Sequence, residues 1–241
     1  MTAGPGKRHI LYLFLAFSLG AAPARASTCY GRVAQGSITG AVALPASGPN
    51  FVAYSRLGVS LGRTHVHEQV RDVIVDAYAE LARSFPGKRY VYGETGLREG
   101  GRMRPHRTHQ NGLSVDFMVP VVDAKGNSVP LPSSPLNKFG YGLEFDAQGR
   151  AGELRIDYAA IAEHLYQLNQ AAQRRKLGIA LVIFDPALMP ALLNTARGDA
   201  LRKLPFMQGK AWIRHDEHYH VDFALPCQPL RKGAAGTPKA G

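Results

Sequence analysis

The chain has 241 residues, 45% of them hydrophobic, and a formal net charge of +11. That is enough apolar material for one large folded domain and too much for a chain disordered throughout. The basic balance favours an anionic polymer or surface as partner, with charge that serves only solubility as the alternative.

Lys7 and Arg8 precede the apolar run Ile10 to Ala22, and Ala24-Arg25-Ala26 follows with small-x-small spacing. Residues 1–26 therefore read as a signal peptide, residues 27–230 as one domain and residues 231–241 as a disordered Gly/Ala/Lys tail. The apolar run is short for a stable membrane span, and no later segment approaches about 20 apolar residues. Losing Lys7, Arg8 and Arg25 with the leader takes the net charge from +11 to +8. Export, expected to the periplasm, would make nucleic acid the less natural partner. In that oxidising compartment Cys29 and Cys227 are expected to form a disulfide closing nearly the whole domain, worth on the order of 4 kcal/mol. The two thiols serving zinc instead is the weaker alternative, since neither has a neighbouring Cys or His at ligand spacing.

Val70, Val73, Ile74, Ala77, Tyr78, Leu81 and Phe85 recur at three- and four-residue spacing and predict a helix over 68–85, stopped by Pro86-Gly87. A short strand is expected at 89–92, then an irregular Gly/Arg-rich loop, then a strand at 113–119 where apolar and polar residues alternate. Residues 120–152 read as loop with a hairpin near Gly140. A second helix is expected over 157–176, a buried strand over 179–184, a helix from Pro186 to about Ala196, and strands over 211–214 and 218–225. The sum is an α+β fold, a mostly antiparallel sheet with helices on one side.

Five of the nine histidines fall in two blocks, His106 and His109 in "HRTHQNGLSVDF" and His215, His218 and His220 in "HDEHYHVDF". On a strand His218 and His220 share a face, about 7 Å apart. Gly112 allows the loop to fold back and bring His109 beside Asp116. His109, Asp116 and His220 then supply two nitrogens and one carboxylate oxygen, the ligand count of a catalytic zinc with one open position. Either block alone is more often a surface or hydrogen-bonded feature; their joint occurrence carries the metal reading.

The run "GETGLREGGRMRPHRTHQNGLSVDF" together with "HDEHYHVDF" resembles the penicillin-insensitive murein endopeptidases, within the wider group of zinc peptidases that includes lysostaphin, the D-Ala-D-Ala metallopeptidases and the hedgehog fold. The resemblance implies zinc ligands His109, Asp116 and His220, with His218 near the reacting water. His106 and His215, each three residues before its block, match the narrower family. It further implies an exported zinc endopeptidase acting on the D-Ala–diaminopimelate cross-bridges of peptidoglycan through a zinc-activated water, whose pKa falls from about 16 to about 7. No serine is then needed as nucleophile.

His218 suits the general base, with an ordinary pKa of about 6.5, and His215 the catalytic surroundings. Glu217 is the rival base, although strand alternation would turn it to the other face. His106, Glu217, Arg102 and Arg214 are further metal or substrate contacts, since guanidinium forks bind the free carboxylates of stem peptides. Arg98, Arg104 and Arg107 belong to the same basic rim, for which simple solvation is the alternative. Trp212, Tyr219, Tyr90 and Tyr92 read as packing, His65 and His67 as capping or surface residues, and His164 as a surface or boundary residue. Two other activities fit the same residues, a D,D-carboxypeptidase releasing terminal D-Ala and a zinc-binding wall protein without catalysis.

Overall fold

A computed structural model describes residues 1–2, 26–209 and 211–230. The expected tail, and the expected leader apart from Met1, Thr2 and Ala26, lie outside the described residues. In chain order the elements are β1 (Thr28–Arg32), β2 (Gln35–Thr39), β3 (Val42–Ala43), β4 (Phe51–Ala53), α1 (Arg56–Ser60), β5 (His65–Val66), α2 (Glu68–Ser84), β6 (Tyr90–Tyr92) and β7 (Ser114–Met118). They continue as β8 (Val121–Val122), β9 (Ser128–Val129), a 3-10 turn at Pro135–Gly140, β10 (Arg150–Ala151), β11 (Leu154–Ile156), α3 (Tyr158–Arg174), β12 (Gly178–Ile183), α4 (Met189–Leu193), α5 (Gly198–Leu201) and β13 (His218–Ala224).

The central sheet has the order β12-β13-β7-β6-β4. Its pairs are antiparallel except β4 with β6. This is the α+β fold the patterning predicts. The long helices form for the expected reasons. The α2 stripe buries Val70, Val73, Ile74, Ala77, Tyr78 and Leu81, each large side chain contributing about 1.5–3 kcal/mol. The His67 imidazole caps its first turn by accepting from Gln69 N, so His67 takes the capping role. Asp157 caps α3 from Ala160 N and also binds Lys88 Nζ at 2.6 Å.

Alternation along β7 and β13 divides the sheet into two faces. Val115, Phe117, Tyr219, Val221 and Phe223 join the apolar core, while Asp116, His218, His220 and Asp222 form the polar face. His164 corrects its expected surface position. It is wholly buried in α3, stacked on Tyr78 at 4.9 Å and edge-on to Phe117 at 4.7 Å. Burial pushes its imidazole down to about 3, so it is a neutral core residue.

Three other expectations change. Residues 120–152 contain short strands that assemble with β11 into a second sheet, β10-β11-β8-β9, and at Gly140 stands the 3-10 turn in place of a hairpin. Ala211 to Arg214 is not a strand. The Pro186 helix begins only at Met189, because the Asp185 carboxylate takes Ala187 N at 2.8 Å and its carbonyl takes Leu188 N, making a turn first. The Cys29–Cys227 disulfide is present and spans 198 residues.

Candidate metal centre

The register of β7 against β13 sets His220 opposite Asp116 and His218 opposite Met118. His220 Nδ1 lies 2.8 Å from Asp116 Oδ1, and its Nε2 donates to Asp222 Oδ1 at 2.8 Å. Asp222 is held in turn by the Ser114 hydroxyl at 2.6 Å. The loop before β7 delivers His109 through a left-handed backbone, φ 66°, so that the His109 and His220 rings are 4.9 Å apart. Gly112 also has a positive φ, and a Cβ there would stand 2.6 Å from Ile38 Cδ1 and 2.8 Å from His67 N, which explains the glycine in the fold-back.

Proton positions follow from the hydrogen bonds. His109 Nδ1–H donates to the Thr95 carbonyl at 3.0 Å, which leaves Nε2 as an acceptor. That Nε2 is buried without a hydrogen-bond partner and faces Asp116 Oδ1 at 3.2 Å. Two acceptors facing each other in a dry site call for a cation. His220 meets part of that demand as a proton donor. Burial opposes its charge, but the Asp222 and Asp116 carboxylates outweigh burial and hold the imidazole up at about 10. Asp116, although buried, is held well below the usual carboxylate range by His109 and His218.

A divalent ion taking the place of the His220 Nδ1 proton would meet the same demand. The Nε2–H bond to Asp222 would persist as the outer support typical of metal-bound imidazole. Donor atoms of His106, His109 and Asp116 also lie within 4.8 Å of one another and could hold an ion. His106 Nδ1 is 3.7 Å from Asp116 Oδ2. His109 and Asp116 are thus common to both groupings, and His106 adds a donor to the three taken from the two motifs.

His218 presents Nε2 to Asp116 Oδ2 at 3.9 Å and Nδ1 to Glu217 Oε1 at 2.9 Å. Glu217 therefore faces the site. It precedes the first residue of β13, so alternation does not govern it, and its side chain lines the cavity together with His218. Burial pushes the Glu217 carboxyl up to about 8 and the His218 imidazole down to about 4, disfavouring charge on each. His215 lies tilted against His218 with ring centres 4.5 Å apart, is tied to the Ile213 carbonyl at 2.8 Å and is pushed down to about 4 by burial.

The cluster opens into a cavity of about 660 Å³. Trp212 lines it, about half exposed, at the edge of the fold and outside the core. Arg107 lies over the indole at 4.8 Å. Tyr219, Tyr90 and Tyr92 are core residues as expected.

Arg102 is exposed and is not among the cavity-lining residues. Arg214 is committed to the scaffold, binding Asp185 at 2.7 Å, Asp216 at 3.3 Å, Glu144 at 3.2 Å and the Phe145 carbonyl at 2.7 Å. Among the described residues, the Lys and Arg side chains that line the cavity are instead Arg63, Arg107 and Lys138.

Motif reading missed four residues that build the site. The Tyr141 hydroxyl donates to Asp116 Oδ2 at 3.0 Å and accepts from Glu94 N at 2.8 Å. Glu94 takes His106 Nε2 at 2.5 Å, the Tyr54 hydroxyl at 2.8 Å and the Arg63 guanidinium on both oxygens. Although burial opposes it, His106 and Arg63 hold the Glu94 carboxyl down at about 2.

The family model for penicillin-insensitive murein endopeptidases matches residues 29–233 and so takes in both histidine blocks. The chain belongs to this family. No curated protein matches it. Membership makes the chain a murein endopeptidase, a peptidoglycan hydrolase of a metallopeptidase family. No helix among the described residues is long and apolar enough to cross a membrane.

Proposed function

We propose that this murein endopeptidase is an exported zinc enzyme that hydrolyses D-Ala–diaminopimelate cross-bridges, with His109, Asp116 and His220 as the zinc ligands. One observation carries the metal reading, the unpartnered His109 Nε2 facing the Asp116 carboxylate at 3.2 Å. Two imidazoles and one carboxylate suit zinc and leave room for substrate. When bound, the ion supplies a Lewis acid for the scissile carbonyl and for the attacking water, without a serine nucleophile.

The side chains of this chain do the rest. His218 is the general base. Its Nδ1, held by Glu217 at 2.9 Å, fixes the ring so that Nε2 points to the Asp116 end of the cluster, where a proton must be taken and later returned to the leaving amine. Glu217 orients the ring and, with it, forms one buried proton-holding pair. His215, tilted against His218 beside the cavity with its Nδ1–H committed to the Ile213 carbonyl, offers Nε2 as an acceptor that orients substrate N–H groups. Tyr141 and Asp222 lock Asp116 and His220 in place.

Arg107 is the guanidinium best placed for stem-peptide carboxylates, since it lines the cavity and no carboxylate contact engages it among the described residues. Export accords with the leader-like residues 1–26 and with the disulfide, which persists in an oxidising compartment. Purified protein loaded with zinc is expected to convert cross-linked muropeptide dimers to monomers, to stop in chelator and to recover on zinc addition. Release of free D-Ala with dimers intact would select the carboxypeptidase reading. Zinc binding without either product would select a non-catalytic wall protein.

A further inference from the structure

The tripeptide that follows β6, Gly93-Glu94-Thr95, reaches three members of the cluster at once. Gly93 N donates to the Asp116 carbonyl at 2.7 Å and Asp116 N donates to the Glu94 carbonyl at 3.0 Å. The Thr95 carbonyl fixes His109 Nδ1–H. A Cβ at Gly93 would stand 2.5 Å from the Tyr141 hydroxyl and 2.9 Å from Asp116 Cβ, so the backbone runs close because residue 93 has no side chain.

The Glu94 side chain handles the remaining member. Its Oε2 meets His106 Nε2 at 2.5 Å, while Arg63 Nη2 grips the same oxygen at 2.9 Å. Arg63 Nε and the Tyr54 hydroxyl hold Oε1. Arg63 also binds the Arg104 carbonyl at 2.9 Å, tying down the loop that carries His106. A carboxylate gripped by these donors can only accept, so in the neutral His106 ring the proton sits on Nε2 and Nδ1 carries the lone pair. That Nδ1 faces Asp116 Oδ2 at 3.7 Å, with the His109 ring 4.6 Å from the His106 ring. The geometry repeats the one at His109, an imidazole lone pair aimed at a carboxylate.

Building on the metal reading above, we propose that Glu94 is a positioning residue of the metal centre, anchored by Arg63 and Tyr54, which pins His106 in the tautomer and rotation that make its Nδ1 a further donor to the ion beside His109 and Asp116. Glu94 itself touches no reacting atom. Its effect passes through His106, which sets it apart from a buried ion pair that only stabilises the fold.

The test uses the full chain loaded with Co²⁺, whose visible spectrum reports the number of donors, and Zn²⁺ affinity measured by chelator competition. Glu94→Gln keeps the size but can turn an amide N–H toward His106 and removes the charge that holds it. Affinity is expected to fall about ten- to a hundredfold, and the cobalt spectrum is expected to move in the same direction as in His106→Ala. Should the unpaired Arg63 prevent folding, the double variant Arg63→Gln/Glu94→Gln is read by the same two measurements.

A Glu94→Gln protein that melts earlier but keeps wild-type affinity and spectrum would overturn the proposal and make the pair structural. A His106→Ala spectrum identical to wild type would overturn it as well. Wild-type protein that binds the ion yet leaves muropeptide dimers intact would end the peptidase reading while the spectra still decide the role of Glu94.

Discussion

His218 and His220 are two residues apart on one face, yet the proposal gives them different work, and substitution should separate them. His220→Ala removes a ligand and should lower zinc affinity. His218→Ala is expected to retain the ion and lose about 10²- to 10⁴-fold in kcat, the usual worth of a general base, measured on muropeptide dimers at matched zinc occupancy. Glu217→Gln still offers an acceptor to Nδ1 and should cost less; a larger loss than in His218→Ala would move the base to Glu217.

The convergence of His109, Asp116, His218 and His220 could be read in the sequence because period two and a fold-back glycine are local signals. Glu94, Arg63, Tyr54 and Tyr141 could not, since each reaches the cluster through contacts between distant segments; Glu94 and Tyr141 are 47 positions apart. Arg214 misled for the converse reason. Proximity to a motif says nothing about whether a guanidinium is already saturated, and four partners saturate this one.

At the scale of elements, the structure reproduces the long amphipathic helices and the two motif strands and departs where local signals are short. The strands of the second sheet have two or three residues each, too few for alternation to register. The Ala211–Arg214 segment, expected as a short apolar strand, is irregular: its Trp212 lines the cavity and Arg214 is drawn into the Asp185–Asp216 ion-pair knot.

One clasp between elements makes a pH prediction. Glu163 of α3 accepts from Arg197, just before α5, at 2.7 and 3.1 Å and from Gln167 at 2.9 Å. Burial raises the carboxyl but Arg197 and Gln167 outweigh it, leaving it below its ordinary 4.5. A carboxyl depressed on folding adds stability above its unfolded value and loses it as pH falls through the folded one. The melting-temperature gap between wild type and Glu163→Gln should therefore be widest near neutrality and close as pH drops below 4.5. A gap that is flat across that range would mean the clasp acts through packing alone, as Arg197 stacks on Tyr166 at 3.8 Å.

For the molecule as a whole, the disulfide closes a loop of 198 residues, so reduction is expected to remove about 5 kcal/mol by freeing the unfolded chain. Denaturant midpoints of oxidised chain and of a Cys29→Ala/Cys227→Ala variant would measure it, and equal midpoints would refute that entropic account. The basic charge anticipated from composition is a property of this same whole, and it suits a substrate that carries free carboxylates.

The order of the central sheet has a consequence in time. β13, the last strand in chain order among the described residues, does not lie at an edge; it fills the gap between β12 and β7. It brings His218, His220 and Asp222 with it. A ribosome or a translocation channel releases the chain from its N-terminus, so every partial product ending before residue 218 holds half a centre and a sheet with a missing middle. With the proposed ligands and base on β13, a wall-cutting activity of this design would not start on an unfinished chain. The centre would be complete only with the final strand in place, and Cys227, three residues beyond that strand, ties it to Cys29 at the opposite end.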